Sequence, residues 1–291
     1  MHTCWINGAF VDEAAAQVSI FDRGLLFGDG VYEVCAVLFG RVLDADLHLT
    51  RLARSLDAIG ITNSISADAW RTVLQTLVER NAIDEGLVYL QITRGVAERD
   101  FPFPAVTTPT MFAYARPKAL AADVHAAGVR VHTVADWRWM RRDIKSTSML
   151  AQVLAKQEAR VAGAYEALMH EDGVITEGGA STFWIVQDDV VITRPLSHKI
   201  LAGVTRSVTI ELAASLGLTV HERELRIEEA RAARECFLSS ATGFVLPVTH
   251  IDNVAVGDGA PGPIAIRLRA AHFARGATLL ALAVCRKSGI S

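Results

Sequence analysis

Lysine occurs at only five positions of the 291-residue chain, 118, 145, 156, 199 and 287, and arginine supplies the rest of the 29 basic residues. Lys145 is set between the apolar Ile144 and a run of small hydroxyl residues, Ser146-Thr147-Ser148. An amine, unlike a guanidinium, can give up its proton and attack a carbonyl; the competing reading is a solvated lysine in a polar turn. Glu177 precedes Gly178-Gly179 in a stretch short of charge. That suits a carboxylate held inside a site, against the plainer alternative of a turn carboxylate capping a backbone amide. Ile200-Leu201-Ala202-Gly203-Val204-Thr205-Arg206 leads into a helix whose glycine, hydroxyl and first-turn amides make an anion site, or a helix start that needs only Thr205 as its cap. Ser239-Ser240-Ala241-Thr242-Gly243 is a second hydroxyl-rich turn, at the end of a buried strand. In the first half, Arg51 sits at the edge of an apolar helical stripe, where it either meets solvent or reaches an anion inside the protein.

A scarce lysine, a carboxylate beside glycines, two phosphate-binding turns and an arginine are the set that pyridoxal phosphate requires. The lysine bonds the cofactor's aldehyde, the carboxylate keeps the pyridine nitrogen protonated, and the amides with an arginine hold the phosphate. No Ser-His-Asp signature, Walker loop or HExxH competes with this reading. Gly24, Gly28 and Gly30 lack the G-x-G-x-x-G spacing and precede a strand, so a dinucleotide loop is excluded.

The elements that must position these groups fall into two halves, as a chain of this length suggests at one domain per ~150 residues. An apolar fraction of 51% is ample for large cores. A net charge of −3 and a pI near 6.3 leave neither a nucleic-acid footprint nor a polybasic membrane patch, so small-molecule partners are expected. Cys4, Cys35, Cys236 and Cys285 are scattered, with no metal-ligand spacing, and read as reduced thiols. The N-terminus lacks a basic stretch followed by an apolar core, which implies a cytoplasmic protein. The apolar run 277–284 is far shorter than the ~20 residues of a membrane span; it is expected to be a packing helix or a loose tail.

Asn7-Gly8 between apolar pairs predicts a hairpin over Trp5–Val11. A glycine-punctuated loop over 21–30 should feed a strand at 31–37. Leu49, Leu52, Leu56 and Ile59 predict a helix from about Asp46, and Ser66 caps another running to about Arg80. Strands are expected at 87–93 and 110–115. Arg116-Pro117-Lys118 marks a boundary, giving an N-terminal domain 1–117, a linker 118–122 and a C-terminal domain 123–291. Beyond it come strands at 129–134, 166–170 and 182–186, a buried strand from Glu235, and helices at 149–162, from 206 to about 216, and around 263–274. Lys156 is expected to face solvent near Glu158.

Six motifs then stand out: Asp22-Arg23-Gly24 with Phe27-Gly28-Asp29-Gly30-Val31-Tyr32-Glu33; His48-Leu49 with Arg51-Leu52; Arg138-Trp139 with Asp143-Ile144-Lys145-Ser146; Leu154-Ala155-Lys156-Gln157-Glu158-Ala159; Thr176-Glu177-Gly178; and Gly203-Val204-Thr205-Arg206. Through them, over about Ile6 to Val248, the chain resembles the class IV, fold-type IV pyridoxal-phosphate aminotransferases, most nearly the bacterial D-amino acid transaminases. The resemblance implies an α/β (α+β two-domain) fold with a smaller N-terminal α/β domain and a larger, mixed-sheet, barrel-like C-terminal domain that binds the cofactor. It implies a homodimer whose site lies in the cleft between the domains and is closed by the neighbouring subunit.

It also implies that Lys145 is the Schiff-base lysine and that Glu177 partners the pyridine nitrogen. Arg51 with Val204, Thr205, Ser240, Ala241 and Thr242 would hold the phosphate, Leu201 would pack on the ring, and Arg138 would lie close to it. Ala241 stands where a hydroxyl residue is expected, but its amide survives the change. Tyr32, Arg99 and Phe101 match the substrate-carboxylate trap, with Phe101 in place of a histidine. The missing charge-assisted bond costs ~1.5–3 kcal/mol of substrate binding. The expected reaction moves the amino group of a D-amino acid to a 2-oxo acid such as 2-oxoglutarate. The alternatives are a branched-chain L-amino acid or (R)-amine transaminase, an aminodeoxychorismate lyase, or a non-catalytic carrier of the cofactor.

Overall fold

The computed structural model describes residues 2–62, 65–120 and 127–288, with the backbone alone for 279–288. The chain divides into two compact units, one of Met1–Ala119 with Ile144–Met149, the other of Leu120–Asp143 with Leu150–Ser291. Residues 121 and 122 of the expected linker lie outside the described residues.

The first unit is a six-stranded antiparallel sheet with two helices packed on one face. Its elements are β1 (Thr3–Ile6), β2 (Ala9–Asp12), α1 (Arg23–Phe27), β3 (Gly30–Leu38), β4 (Arg41–Val42), α2 (Ala45–Ala58), α3 (Ala67–Arg80), β5 (Gly86–Thr93) and β6 (Thr110–Pro117). The spatial order of the strands is β2-β1-β6-β5-β3-β4. Asn7 and Gly8 take positive φ, as a two-residue hairpin requires. Alternation along β3 sends Val31, Glu33, Cys35 and Val37 inward, against Leu49, Leu52 and Leu56 of α2 and Leu74 and Leu77 of α3. Each such leucine contributes ~1.5–3 kcal/mol through burial. Ser66 caps α3 by accepting from the Ala69 amide at 3.2 Å. The expected loop over 21–30 contains the short helix α1, which Asp22 caps through the Gly24 amide.

The lysine-bearing segment belongs with this first sheet although it follows the expected domain boundary. Tyr32 donates its amide to the Lys145 carbonyl at 3.0 Å, and Ser146 bridges Val31. Thr147 adds an amide bond to the Gly30 carbonyl, 3.0 Å. The segment is held by β3, so its backbone partners lie far upstream in sequence.

The second unit is built on a mixed ten-stranded sheet, curled into a half-barrel. Its elements are β7 (Val129–Ala135), α4 (Leu150–Val161), β8 (Glu166–Glu171), β9 (Val174–Gly178), β10 (Thr182–Gln187), β11 (Val190–Thr193), α5 (Val204–Ser215), β12 (Thr219–Glu222), β13 (Leu225–Arg226), α6 (Ile227–Ala232), β14 (Glu235–Ser240), β15 (Phe244–Ile251), β16 (Val254–Ala255) and α7 (Pro263–Ser288). The order runs β12-β11-β10-β14-β15-β7-β8-β9-β13, with β16 on β15. Phe183, Ile185, Leu238 and Leu246 form one core cluster, and Trp184, Phe237 and Leu268 form another. Strands β9, β11, β12, β13, β15 and β16 and the short helix α6 are additions to the expected set. Helix α7 runs on well past Ala274, and the side chains of 279–288 lie outside the described residues. Lys156 does not stand free beside Glu158: its Nζ is 3.1 Å from the buried Glu166 carboxylate. Among the described residues no helix is long and apolar enough to cross a membrane, and no His, Cys, Asp and Glu cluster could hold a metal ion.

Candidate active site

In the first unit, Lys145 is half-buried, and its Nζ lies 4.3 Å from the centroid of the Tyr32 ring. Its backbone is fixed by β3 on one side and by Ser55 Oγ of α2, which accepts from the Lys145 amide at 3.3 Å, on the other. The amine therefore hangs on a rigid support rather than in a polar turn.

Arg51 is buried, not solvated. Its Nε and Nη2 each reach the Glu33 carboxylate at 2.7 Å, and His48 Nδ1 is 2.7 Å from the same group. Burial alone would raise the Glu33 carboxyl, but Arg51 and His48 overcome it and bring the carboxyl down to about 2. Arg51 thus meets an anion inside the protein, and that anion is a carboxylate on β3. Glu33 closes a motif quoted from the sequence but was given no role there. The available signal was a charged residue on the inward face of an otherwise apolar alternation, which demands a partner.

Arg99 and Phe101 sit on the exposed loop after β5. The Arg99 guanidinium lies 5.3 Å from the Phe27 ring and 6.0 Å from the Phe101 ring, and the two phenyl rings are 5.6 Å apart. Phe101 is 77% exposed, so its ring is offered to whatever approaches the loop.

In the second unit, Glu177 stands at the end of β9 and is 5% exposed. Arg138 Nη1 donates to its Oε1 at 2.5 Å, and the Leu201 amide lies 3.2 and 3.3 Å from its two oxygens. Burial raises the Glu177 carboxyl, and Arg138 and Leu201 offset only part of that rise. Arg138 is in turn held by Asp136, through Nε at 2.9 Å and Nη2 at 2.7 Å, while Thr176 Oγ1 donates to Asp136 at 2.6 Å. Of the supporting residues, Asp136 was not singled out from sequence, and Thr176 entered only within the motif of Glu177, with no role of its own. Their signal was proximity, since Asp136 is two residues before Arg138 and Thr176 is next to Glu177.

Two residues past Leu201, Gly203 takes the N-cap position of α5 in extended geometry and makes no side-chain cap bond. Thr205 is therefore inside the first turn rather than the cap. The first amides of α5, Val204 and Thr205 among them, point outward from an uncapped helix start. A Cβ at Gly203 would lie 3.0 Å from Thr182 Oγ1, and Thr182 pairs with Ser239 across β10 and β14. The turn Ser240-Ala241-Thr242 therefore begins beside the α5 N-terminus. It closes through the Gly243 amide, which donates to Ser240 Oγ at 3.1 Å. Ser181 Oγ and Arg206 Nε are buried in the same region without hydrogen-bond partners.

The second unit's donor set fits pyridoxal phosphate. Among the described residues, Glu177 Oε2 carries one long amide bond, 3.3 Å, and can accept from a protonated ring nitrogen. The α5 start and the 240–242 turn present amides and hydroxyls to an anion, as a phosphate requires.

This arrangement defines the class of protein. The chain belongs to the class IV aminotransferase family, whose model, described as amino-transferase class IV, matches residues 30–251. It is 39% identical over 258 residues to a D-alanine aminotransferase of Bacillus licheniformis, spanning 89% of this chain and 91% of the relative. Among solved structures it is similar to the branched-chain amino acid aminotransferase of Escherichia coli, with a TM-score of 0.88, 26% identity and 94% of each chain covered. It is also similar to the branched-chain aminotransferase of the thermophilic archaeon Thermoproteus uzoniensis with norvaline, with a TM-score of 0.83, 27% identity and 92% of each chain covered.

Proposed function

We propose that the protein is a pyridoxal-phosphate-dependent transaminase that moves the amino group of a D-amino acid of the D-alanine type to a 2-oxo acid such as 2-oxoglutarate. The observation that carries the chemistry is the rigidly mounted, half-buried Lys145 amine at the Tyr32 ring. The choice of substrate is supported by the relative named as a D-alanine aminotransferase.

When bound, pyridoxal phosphate supplies an aldehyde that accepts the amino group and a ring that takes up the electron pair released at the substrate Cα. Lys145 would hold the group through its Nζ, and the same amine, once free and neutral, would take up the proton lost from the substrate Cα and pass it on as general base and acid. Glu177, held by Arg138, would keep the ring nitrogen protonated, and Leu201 would pack on the ring. Val204, Thr205, Ser240, Ala241 and Thr242 would hold the phosphate, with Arg51 adding positive charge. Tyr32 and Arg99 bind the substrate carboxylate, and Phe101 supplies an apolar wall where a third donor would stand.

A homodimer is part of the proposal. It is supported by α4, which turns Ala155 and Ala159 inward while leaving Leu150, Val153, Leu154 and Val161 exposed. The free, buried Cys4, Cys35 and Cys236 suit a reducing compartment, and the cytoplasm is the proposed location.

Branched-chain L-amino acids are the second reading, favoured by the similarity to branched-chain enzymes and by the apolar Phe101. Absorbance of the bound cofactor, followed as D-alanine, L-leucine, (R)-1-phenylethylamine or aminodeoxychorismate is added, separates the readings; the proposal expects D-alanine to react fastest. Lys145→Ala should lower turnover by about 10⁴-fold. Normal transamination by that variant would refute the assignment.

A further inference from the structure

Two buried arginines and one aspartate sit beneath the loop that carries Arg99 and Phe101. Arg23, 3% exposed, donates through Nη1 to the Asp100 carbonyl at 2.6 Å and through Nη2 to the Phe101 carbonyl at 3.2 Å. Its Nε meets Asp29 Oδ2 at 2.8 Å. Arg94, 5% exposed, shares that carboxylate through Nε at 2.8 Å and Nη2 at 3.1 Å, and anchors it to the end of α2 by donating to the Ile59 and Gly60 carbonyls. Burial would raise the Asp29 carboxyl, but the two guanidiniums bring it below its usual range, so the aspartate stays charged beneath them. The Arg23 guanidinium also lies 4.7 Å from one ring, Phe27, that Arg99 approaches at 5.3 Å.

Each contact has a direction. Arg94 and Asp29 make a fixed base, held to each other and to the Ile59 and Gly60 carbonyls at the end of α2, and the Arg94 guanidinium also packs on the ring of Phe103, 3.6 Å from its centroid. Arg23 extends from that base to two consecutive carbonyls of an otherwise exposed loop. A guanidinium can span two carbonyls and a carboxylate at once because its five N–H groups are fixed in one plane, which an ammonium cannot match. The ring of Phe27, between the guanidiniums of Arg23 and Arg99, links the strut to the side chain it serves.

We propose that Arg23 is a positioning residue for substrate recognition: through the Asp100 and Phe101 carbonyls it holds Arg99 and Phe101 in the geometry that receives the substrate carboxylate. The inference rests on the reading of Arg99 as the carboxylate's partner. Arg23 touches neither substrate nor cofactor, and it acts by limiting the conformations of residues 99–101. Its contribution falls on binding rather than on the chemical step.

The test uses the enzyme loaded with pyridoxal phosphate and the variant Arg23→Lys, which keeps the charge but not the fork. The KM for D-alanine should rise about 10- to 100-fold, the equivalent of one or two charge-assisted hydrogen bonds. The turnover number should stay within about threefold, and the absorbance and dissociation rate of the bound cofactor should be unchanged. Hydrogen exchange at the amides of residues 98–101 and 103 should quicken at least tenfold while β3 and β5 stay protected. Phe27→Leu, which leaves every ion pair intact, should raise the same KM by about two- to fivefold.

An unchanged KM in Arg23→Lys, or a fall in turnover matching the rise in KM, would overturn the inference; so would unaltered exchange in the loop. If the unmodified enzyme does not accept D-alanine, the functional reading fails, and the exchange measurement alone then decides whether Arg23 braces the loop.

Discussion

Glu33 and Glu177 are both closed off from water, one in each unit, and burial pushes both carboxyls up. Glu33 is met by two bonds from Arg51 and one contact from His48, which together reverse the effect and bring it down to about 2. Glu177 is met by one nitrogen of Arg138 and by a long amide contact, and Arg138 spends two other nitrogens on Asp136. Burial wins there, and the carboxyl stays raised. A buried carboxylate whose partners all come from within is finished; one left short of partners has capacity for a further group. The difference separates a carboxylate satisfied by its own neighbours from one with room for a further group, on geometry rather than on residue type.

That separation can be broken most forcefully at Glu33. Glu33→Gln keeps the shape but leaves the buried Arg51 facing a neutral amide, at a cost of about 3–5 kcal/mol in stability. Urea unfolding of the purified variant measures it, and a loss under ~1 kcal/mol would mean that the triad is not a structural anchor. Glu177→Gln should do the opposite. Turnover should drop about 10²- to 10³-fold while the melting temperature stays within a few degrees, because Arg138 keeps Asp136. Paired kinetics and calorimetry would contradict the comparison if Glu177→Gln unfolded the enzyme as readily as Glu33→Gln.

A third buried group sharpens the contrast because the charges that act on it are like in sign rather than opposite. His272 packs against Thr209, with 3.0 Å between Nε2 and Oγ1, and burial together with Arg275 and Arg269 lowers its ring to about 4. The folded form therefore prefers the neutral ring. As pH falls below the usual 6.5 the unfolded chain takes up a proton first, so the contribution to stability is whole above 6.5 and lost between 6.5 and about 4. Urea unfolding at pH 7 and pH 4.5 should show about 2 kcal/mol of loss traceable to this site, absent in His272→Gln. An identical acid sensitivity in that variant would assign the loss to other groups.

Local signals in the sequence were reliable where one element decides the outcome. Asn7-Gly8 makes its hairpin, Ser66 caps α3, and the leucines of α2 face the sheet. Lys145 and Glu177 could be singled out because residue type and glycine context are local as well. What stayed hidden depends on distant partners. Arg51 could be read as solvated or inward, and only the alternation of β3 brings Glu33 to it. The return of 144–149 to the first sheet hangs on hydrogen bonds to Gly30, Val31 and Tyr32, which no nearby pattern encodes. Thr205 was offered as a cap, but Gly203, extended and lacking a Cβ, starts the helix two residues earlier. The strut from Asp29 to Phe101 was equally invisible, since its ends meet only after β3 and β5 pair.

The excursion of the chain before Ile144 bears on how the protein is made. A nascent chain can complete the six-stranded sheet once Pro117 has left the ribosome, yet the segment carrying Lys145 follows some 30 residues later, a delay of roughly 1–6 s at 5–20 residues per second. During that interval the edge at Gly30–Tyr32 lacks its final partner. Splitting the gene after residue 120 would thus give a first polypeptide with its six strands but without the 144–149 segment, and a second carrying Lys145 whose scaffold was translated elsewhere.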